Sequence, residues 1–335
     1  MQPNPGHAAS FPGGVFTVSL DFELYWGVRD KHPLAAYQHR LKGARQAIPQ
    51  MLRIFQDYGI HATWATVGFL FFPNVETLRR HLPEPLPNYT QAHLSPYPYI
   101  AQADALEPLY HFAPQIIAKV RATPGQEIGT HTFSHYYCLE AGQDRAAFYA
   151  DLDAAVQSAA QNGITVRSLV FPRNQWNATY LDVLPALGIR CYRGNPSGWL
   201  YQATQEHARG TFRRALRLLD AYVNLSGHHV YPPPCGAKAP LNLPASRFLR
   251  PYVPHLAFAE KLKRRRILRA MTHAAQTGRI FHLWWHPHNF GTHTEKNLAF
   301  LRHIAEHYAT LQRQFGMVSL NMGEIAEQCQ QQTPP

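Results

Sequence analysis

The stretch VFTVSLDFEL, residues 15–24, decides the fold. It alternates and is rich in β-branched and aromatic residues, which predicts a strand. It carries two acids, Asp21 and Glu23, two positions apart, so both side chains leave the same face. Downstream, Ile48, Met51, Leu52 and Phe55 recur at helical spacing. Residues 44–58 therefore read as a helix, stopped by Gly59 as a C-cap. HATWATVGF, residues 61–69, reads as the next, largely buried strand. Strand, helix and strand in this order predict a parallel sheet covered by helices.

The rhythm then breaks. Residues 72–114 hold eight prolines, and 83–99 support no long regular element. A loop this long inside a compact domain is usually functional, often a rim or lid. The alternation resumes with strands at 127–130, 168–171, 189–193, 279–285 and 317–321. Helices are expected at 146–160, 178–187 (with Pro185 inside it), 209–225, 255–276 and 298–315, and a Pro-rich loop runs through Pro244. No repeat and no clear linker divides the chain. The economical reading is a flexible N-terminus (1–14), one domain (15–328) with the 72–114 insertion near its site, and a flexible tail (329–335).

The apolar fraction, 45%, is that of a globular chain, which excludes disorder throughout. Lys and Arg outnumber Asp and Glu by 32 to 21, a formal charge of +11. That balance suits an anionic partner: nucleic acid, a membrane surface or a phosphorylated substrate. Cys138, Cys191, Cys235 and Cys329 show no C-x-x-C spacing and are too sparse for a disulfide scaffold, so thiols are expected. Residues 1–14 lack a basic start followed by an apolar run, and no stretch has the length of a transmembrane helix. A soluble, cytoplasmic protein is the expectation.

Three segments carry chemistry. At the C-terminal end of a first strand, Asp21 and Glu23 would open into the site region of a β/α barrel. One is suited to bind a metal, the other to take a proton from water. The bland reading is an ion-paired or solvated strand end. In HTFSH, residues 131–135, two imidazoles stand four apart; on a helical turn they share one face, as two ligands of one metal must. In a chain with 20 histidines such a pair also arises by chance. In FHLWWHPHNFG, residues 281–291, His282, His286 and His288 would alternate onto one face of a strand, opposite Leu283 and Trp285. An imidazole there is placed to protonate a leaving amine, although aromatic and histidine clusters are often merely packed.

Together, in this order, these segments resemble the NodB-homology polysaccharide deacetylases, the family-4 carbohydrate esterases. HATWATVG is similar to the family's second strand, EIGTHTFSH to its metal motif, FPRNQ (residues 171–175) to its arginine- and proline-bearing motif, and LWWH (residues 283–286) to its last motif. The resemblance spans nearly the whole chain and implies a distorted (β/α)7 barrel. It implies that His131 and His135 are metal ligands, that Arg173 orients the catalytic aspartate, and that His286 is the general acid, with His288 as competitor and Asn289 beside it. The commonest family motif has two adjacent aspartates; this chain has Asp21-Phe22-Glu23. By analogy with relatives having spaced acids, Asp21 is the base and Glu23 the third ligand, and the reverse assignment stays open. The family's fourth motif is not clear; Arg193-Gly194-Asn195 stands in its approximate place. The backbone N–H of Tyr136 is expected at the oxyanion. One divalent ion is implied, zinc by default, with iron, cobalt or nickel also suited.

The variant signature, LDFELYWG with FPRNQ and HPHNFG, looks more like deacetylases of bacterial surface-polysaccharide assembly. The implied substrate is an N-acetylated sugar or glycan, phosphate-bearing if it is linked to a nucleotide or to a polyprenyl diphosphate. EKLKRRRILR, residues 260–269, offers six cations beside apolar neighbours. It reads either as the solvated face of a barrel helix or as a peripheral contact with the inner face of a membrane. Two rivals remain: another amide hydrolase, such as a deformylase acting on a lipid-linked or small-molecule substrate, and a catalytically silent protein binding saccharide or nucleic acid. No helix-turn-helix, zinc finger or RNP pattern is present, so no nucleic acid is expected.

Overall fold

The computed structural model describes residues 11–202 and 210–331. Its strands are β1 (Val15–Phe22), β2 (Ala62–Thr66), β3 (Gln126–Thr130), β4 (Ser168–Val170), β5 (Cys191–Arg193), β6 (Leu241–Asn242), β7 (Arg247–Phe248), β8 (Ile280–Trp285) and β9 (Val318–Ser319). All neighbours are parallel, in the order β6-β5-β4-β3-β2-β1-β8-β7, with β9 beside β1. β1 is central and buried along its whole length.

The ring closes through one short segment. Leu241 and Leu243 donate their N–H groups to Arg190 and Tyr192 on the β5 side. A few residues on, Ser246 and Leu249 donate to His282 and Trp284 on β8. β6 and β7 are thus two halves of one stave. Taken so, and leaving the short β9 aside, the nine strands make the seven staves of a distorted (β/α)7 barrel.

α1 (Leu34–Tyr58) precedes β2, and Gly59 ends it in the left-handed region at φ 60°. The helix starts ten residues before 44: its first turns are largely exposed, but Leu34, Tyr37 and Leu41 carry the apolar stripe on into Ala44 and Ile48. Four short helices, α2 (Val75–Arg79), α3 (Tyr97–Gln102), α4 (Pro108–His111) and α5 (Pro114–Ala122), punctuate the Pro-rich region. α6 (Arg145–Gln161) follows β3. The helix expected over 178–187 breaks into a 3-10 turn, Ala178–Tyr180, and α7 (Val183–Ala186). Pro185 has no N–H to continue it. α8 (Thr211–Asp220), α9 (Glu260–Thr277), α10 (Thr294–Phe315) and α11 (Met322–Gln331) complete the chain. No helix among the described residues is long and apolar enough to cross a membrane.

α11 plugs the N-terminal end of the barrel. Met322 and Gly323 donate their N–H groups to the Thr63 hydroxyl and the Glu127 carboxylate, 2.8 and 3.0 Å away. Ile325 and Ala326 pack with Val15, Val170 and Leu241. The boundaries expected at both termini therefore shift. Phe11 is buried against this cluster, and Cys329, expected to start a tail, is buried within α11. Residues 1–10, 209 and 332–335, the remainder of the expected termini and the start of the expected 209–225 helix, lie outside the described residues. The expectation of four thiols is also corrected: Cys235 and Cys329 form a disulfide, while Cys138 and Cys191 are free and buried. The partners are 94 residues apart, so only the fold brings them together.

Candidate active site

The two acids sit where β1 runs out. Asp21 is the next-to-last residue of the strand, Glu23 follows its end, and both are buried at the bottom of one cleft. That is the C-terminal face of the barrel, where strand ends supply site residues.

Asp21 is held by Arg193, the last residue of β5, in a bidentate pair of 2.6 and 2.8 Å. Arg193 also donates to the Ser19 hydroxyl at 2.9 Å and to Asn174 at 3.0 Å, and lies 4.1 Å from the Trp284 ring. Ser19 passes the contact on to His282 Nε2 at 2.8 Å. His282 Nδ1 donates to the Leu243 carbonyl, 3.1 Å away, which can only accept. Burial pushes His282 down to about 3, so this histidine is a neutral relay behind the site. Burial alone would raise the Asp21 carboxyl; the Arg193 guanidinium, with His131 and His286, outweighs it and holds Asp21 below the ordinary range.

Arg173, expected to orient Asp21, does not touch it. It pairs with Asp30, approaches Glu140 at 3.8 Å and lies over the Tyr137 ring. The reason is local: β4 ends at Val170, and Arg173 sits in the following turn at φ 55°, whereas Arg193 is still on a barrel strand and points across the interior. The Arg193→Met variant is expected to lose about 3–5 kcal/mol of stability, because it strands a buried carboxylate. Arg193 stabilises the fold fully above the unfolded carboxyl pKa, and this is lost as pH falls through the lowered folded value. Without it the Asp21 pKa rises, so the acidic limb of the pH–activity profile moves to higher pH. An unmoved limb would show that Arg193 does not set the Asp21 charge.

Glu23 faces two imidazoles. Its Oε2 is 3.4 Å from His131 Nε2 and 3.0 Å from His135 Nε2, and the three ligand atoms lie within 4.8 Å of one another. His131 Nδ1 donates to the Val170 carbonyl at 2.7 Å, leaving Nε2 with its lone pair. Tyr137 hydroxyl, donating to Asp30 at 3.4 Å, is left to accept from His135 Nδ1 at 3.1 Å. Burial pushes His135 down to about 4, so it too is neutral. Burial opposes ionisation of Glu23, but the histidines around it, His286 first, hold its carboxyl well below the ordinary range. Two imidazole lone pairs converging on a buried carboxylate repel one another unless a cation lies among them. The donor set, two nitrogens and one carboxylate, fits a divalent ion.

The HTFSH segment is not a helical turn, as its spacing had suggested. Thr132 and His135 adopt left-handed φ of 64° and 62°, each costing on the order of 1–3 kcal/mol. Asp151 on α6 offsets this strain. Its carboxylate accepts from Phe133 N–H at 2.7 Å, Ser134 N–H at 3.1 Å and the Ser134 hydroxyl. Burial raises Asp151 to about 6. The signal was readable: an acid among Ala147, Phe148, Leu152 and Ala155 on the buried stripe of a helix. The Pro-rich region supports these loops from behind: Tyr89 accepts from the Tyr137 N–H at 2.9 Å, and the His111 carbonyl from the Trp26 indole at 2.7 Å. None of its residues lines the cleft, so it is a buttress rather than the expected rim or lid.

β8 ends at Trp285, so His286 and His288 lie beyond the strand while His282 stays within it. His286 Nε2 stands 3.7 Å from both Asp21 and Glu23, and Asn289 lies 3.4 Å from its Nδ1. His288 Nδ1 is 3.8 Å from Glu23, and burial pushes this imidazole down to about 3. A proton is held poorly there, which favours His286 as the acid. Tyr136 does not offer its backbone N–H to the cleft: that group donates to the Thr132 hydroxyl at 2.7 Å, and the Tyr136 side chain is buried.

The cleft encloses about 430 Å³. Among the described residues, Lys31, Arg173, Arg217, Arg247 and Arg250 line it, with Asp21 and Glu23 as the carboxylates of its wall.

Fold and site together define a seven-stave β/α barrel with an arginine-held aspartate next to a Glu-His-His cluster. Residues 41–192, a little under half of the chain, match the family model described as polysaccharide deacetylase. Asp21, Glu23 and His286 lie outside the matched residues, so their placement comes from the structure. The fold is similar to that of a putative polysaccharide deacetylase from Mycobacterium smegmatis, with a TM-score of 0.58 and 17% identity over 100% of this chain and 97% of that one. It is similar to a probable polysaccharide deacetylase from Pseudomonas aeruginosa PAO1, TM-score 0.54 and 10% identity over 96% and 91% of the two chains. It also resembles the Puue allantoinase, TM-score 0.50 and 10% identity over 98% and 93%. No curated protein matches the sequence.

Proposed function

We propose that this protein is a metal-dependent amide hydrolase that removes the N-acetyl group from an amino sugar or glycan in bacterial surface-polysaccharide assembly. The observation that carries this reading is the juxtaposition of Asp21, held ionised by Arg193, with the Glu23, His131 and His135 cluster, and with His286 Nε2 3.7 Å from both carboxylates. A divalent ion held by Glu23, His131 and His135, zinc first and iron, cobalt or nickel next, supplies a Lewis acid that acidifies water and polarises the amide carbonyl. Asp21 accepts the proton of the attacking water, and Arg193 keeps that carboxylate oriented and charged. His286 delivers a proton to the departing amine. His131 and His135 are fixed in orientation by Val170 and Tyr137, as metal-binding imidazoles need.

The cationic lining supports a phosphate-bearing acceptor, a nucleotide-linked or lipid-linked N-acetyl sugar. The test is acetate release from such sugars, compared with peptidoglycan and chitin oligomers. Acetate from the phosphate-bearing acceptors is expected; acetate from the polymers alone would overturn the substrate class. Formate in place of acetate would make the protein a deformylase. A metal-loaded protein inert toward all of them would leave the saccharide-binding reading.

A further inference from the structure

α8 is turned inside out. Phe212, Ala215, Leu216 and Leu219 fall at i, i+3, i+4 and i+7, the stripe by which an amphipathic helix normally faces its core. Here that stripe faces largely outward: Phe212 is 70% exposed and Leu219 48%, Ala215 is exposed and Leu216 half-buried. The opposite side, Arg213, Arg217 and Asp220, faces the protein. Asp220 is fully buried in an ion pair with Arg247, Arg217 donates to the Leu200 carbonyl at 2.7 Å, and Arg213 to that of Trp199. The apolar surface continues past the helix through Val223 and Leu225, and across a groove to Leu262 on α9, with Phe258, 80% exposed, one turn before it. Apolar side chains gathered at this density mark an interaction face.

Charge selects the occupant. From residue 210 to residue 278 the sequence has two acids, Asp220 and Glu260. Both are ion-paired, Glu260 with Lys263 at 2.7 Å. Lys261, Arg265 and Arg269 are exposed beside the apolar residues. A second copy of the chain would set this patch against itself, cation against cation. An anionic bilayer complements both the cations and the apolar residues.

We propose that the outer face of α8, with Val223, Leu225, Phe258 and Leu262, docks on an anionic lipid surface. The inner side of the same helix lines the cleft through Arg217, and Ala221 just beyond its end does likewise, so docking sets the mouth of the site at headgroup level. A lipid-linked sugar is then reached without leaving the bilayer. That substrate rests on the function proposed above; the docking does not.

The test is sedimentation of the full chain with phosphatidylethanolamine vesicles with and without phosphatidylglycerol. Binding that needs phosphatidylglycerol and weakens at high salt is expected. The Phe212→Ser/Leu219→Ser variant should partition at least about tenfold less, because insertion scales with buried apolar area. The Lys261→Glu/Arg265→Glu variant should lose the preference for phosphatidylglycerol. Unchanged melting temperatures show that both variants fold. Equal sedimentation of the serine variant and the wild type overturns the proposal, as does a wild type that ignores both vesicles. A wild-type dimer that the serine variant converts to monomer assigns the face to a second copy instead. These readouts need no activity, so loss of docking and failure of the deacetylase reading are told apart.

Discussion

The Asp21→Asn variant is expected to cleave amide about 10³-fold more slowly than the wild type, the usual worth of a positioned general base. Its metal content should be unchanged, because Glu23, not Asp21, shares the cluster with His131 and His135. Asn keeps the shape of the side chain and one acceptor for Arg193, but cannot take a proton. The measurement is single-turnover acetate release alongside metal analysis of the same sample. An Asp21→Asn protein that arrives without metal would reverse the two acids, making Asp21 the ligand and Glu23 the base. One that keeps wild-type activity would remove Asp21 from the chemistry. Some stability is also lost, since Arg193 then lies buried against a neutral partner.

Removing a ligand should have the larger effect. The Glu23→Gln and His131→Ala variants are each expected to be purified with metal at background and to release no measurable acetate, with the fold intact by circular dichroism. Glu23 supplies the only negative charge in the cluster, and His131 arrives with its lone pair free because Val170 takes its other proton. Added zinc should rescue the wild type after chelation but not these variants. Stoichiometric metal retained in either one would place the ion elsewhere. Metal retention also depends on pH, because an imidazole must shed its proton to bind. His135, held neutral down to about pH 4 by burial, should not be the first ligand lost on mild acidification.

Much of the site was visible in the order of residues. The D-x-E spacing put both carboxylates at one strand end, and H-T-F-S-H and L-W-W-H followed in the order of the family that the chain resembles. The helical-turn reading of residues 131–135 failed for a physical reason: the two imidazoles meet through a left-handed loop held by Asp151, and spacing carries no record of a carboxylate 16 to 20 positions away. Arg173 drew attention because it stands in a family motif, while Arg193, marked only by its place, holds Asp21. Choosing between two arginines depends on which one lies on a strand and points across the barrel.

The same division holds for the whole molecule. Alternation and helical spacing were enough for a parallel sheet of β/α units, because they act over a few residues; the distorted barrel came from the family that the ordered acids and histidines resemble, and the structure brings Glu23, His131 and His135 together at its strand ends. The disulfide between Cys235 and Cys329, the double-duty stave of residues 241–249, the relay from Asp21 through Arg193 and Ser19 to His282, and the outward turn of α8 are contacts between segments far apart in the chain. Their partners are chosen by packing, burial and charge in the closed barrel, and no local pattern records them. In α8 the contrast is sharpest: its periodicity prescribes an apolar face for a core, and the Asp220–Arg247 pair anchors the opposite face instead.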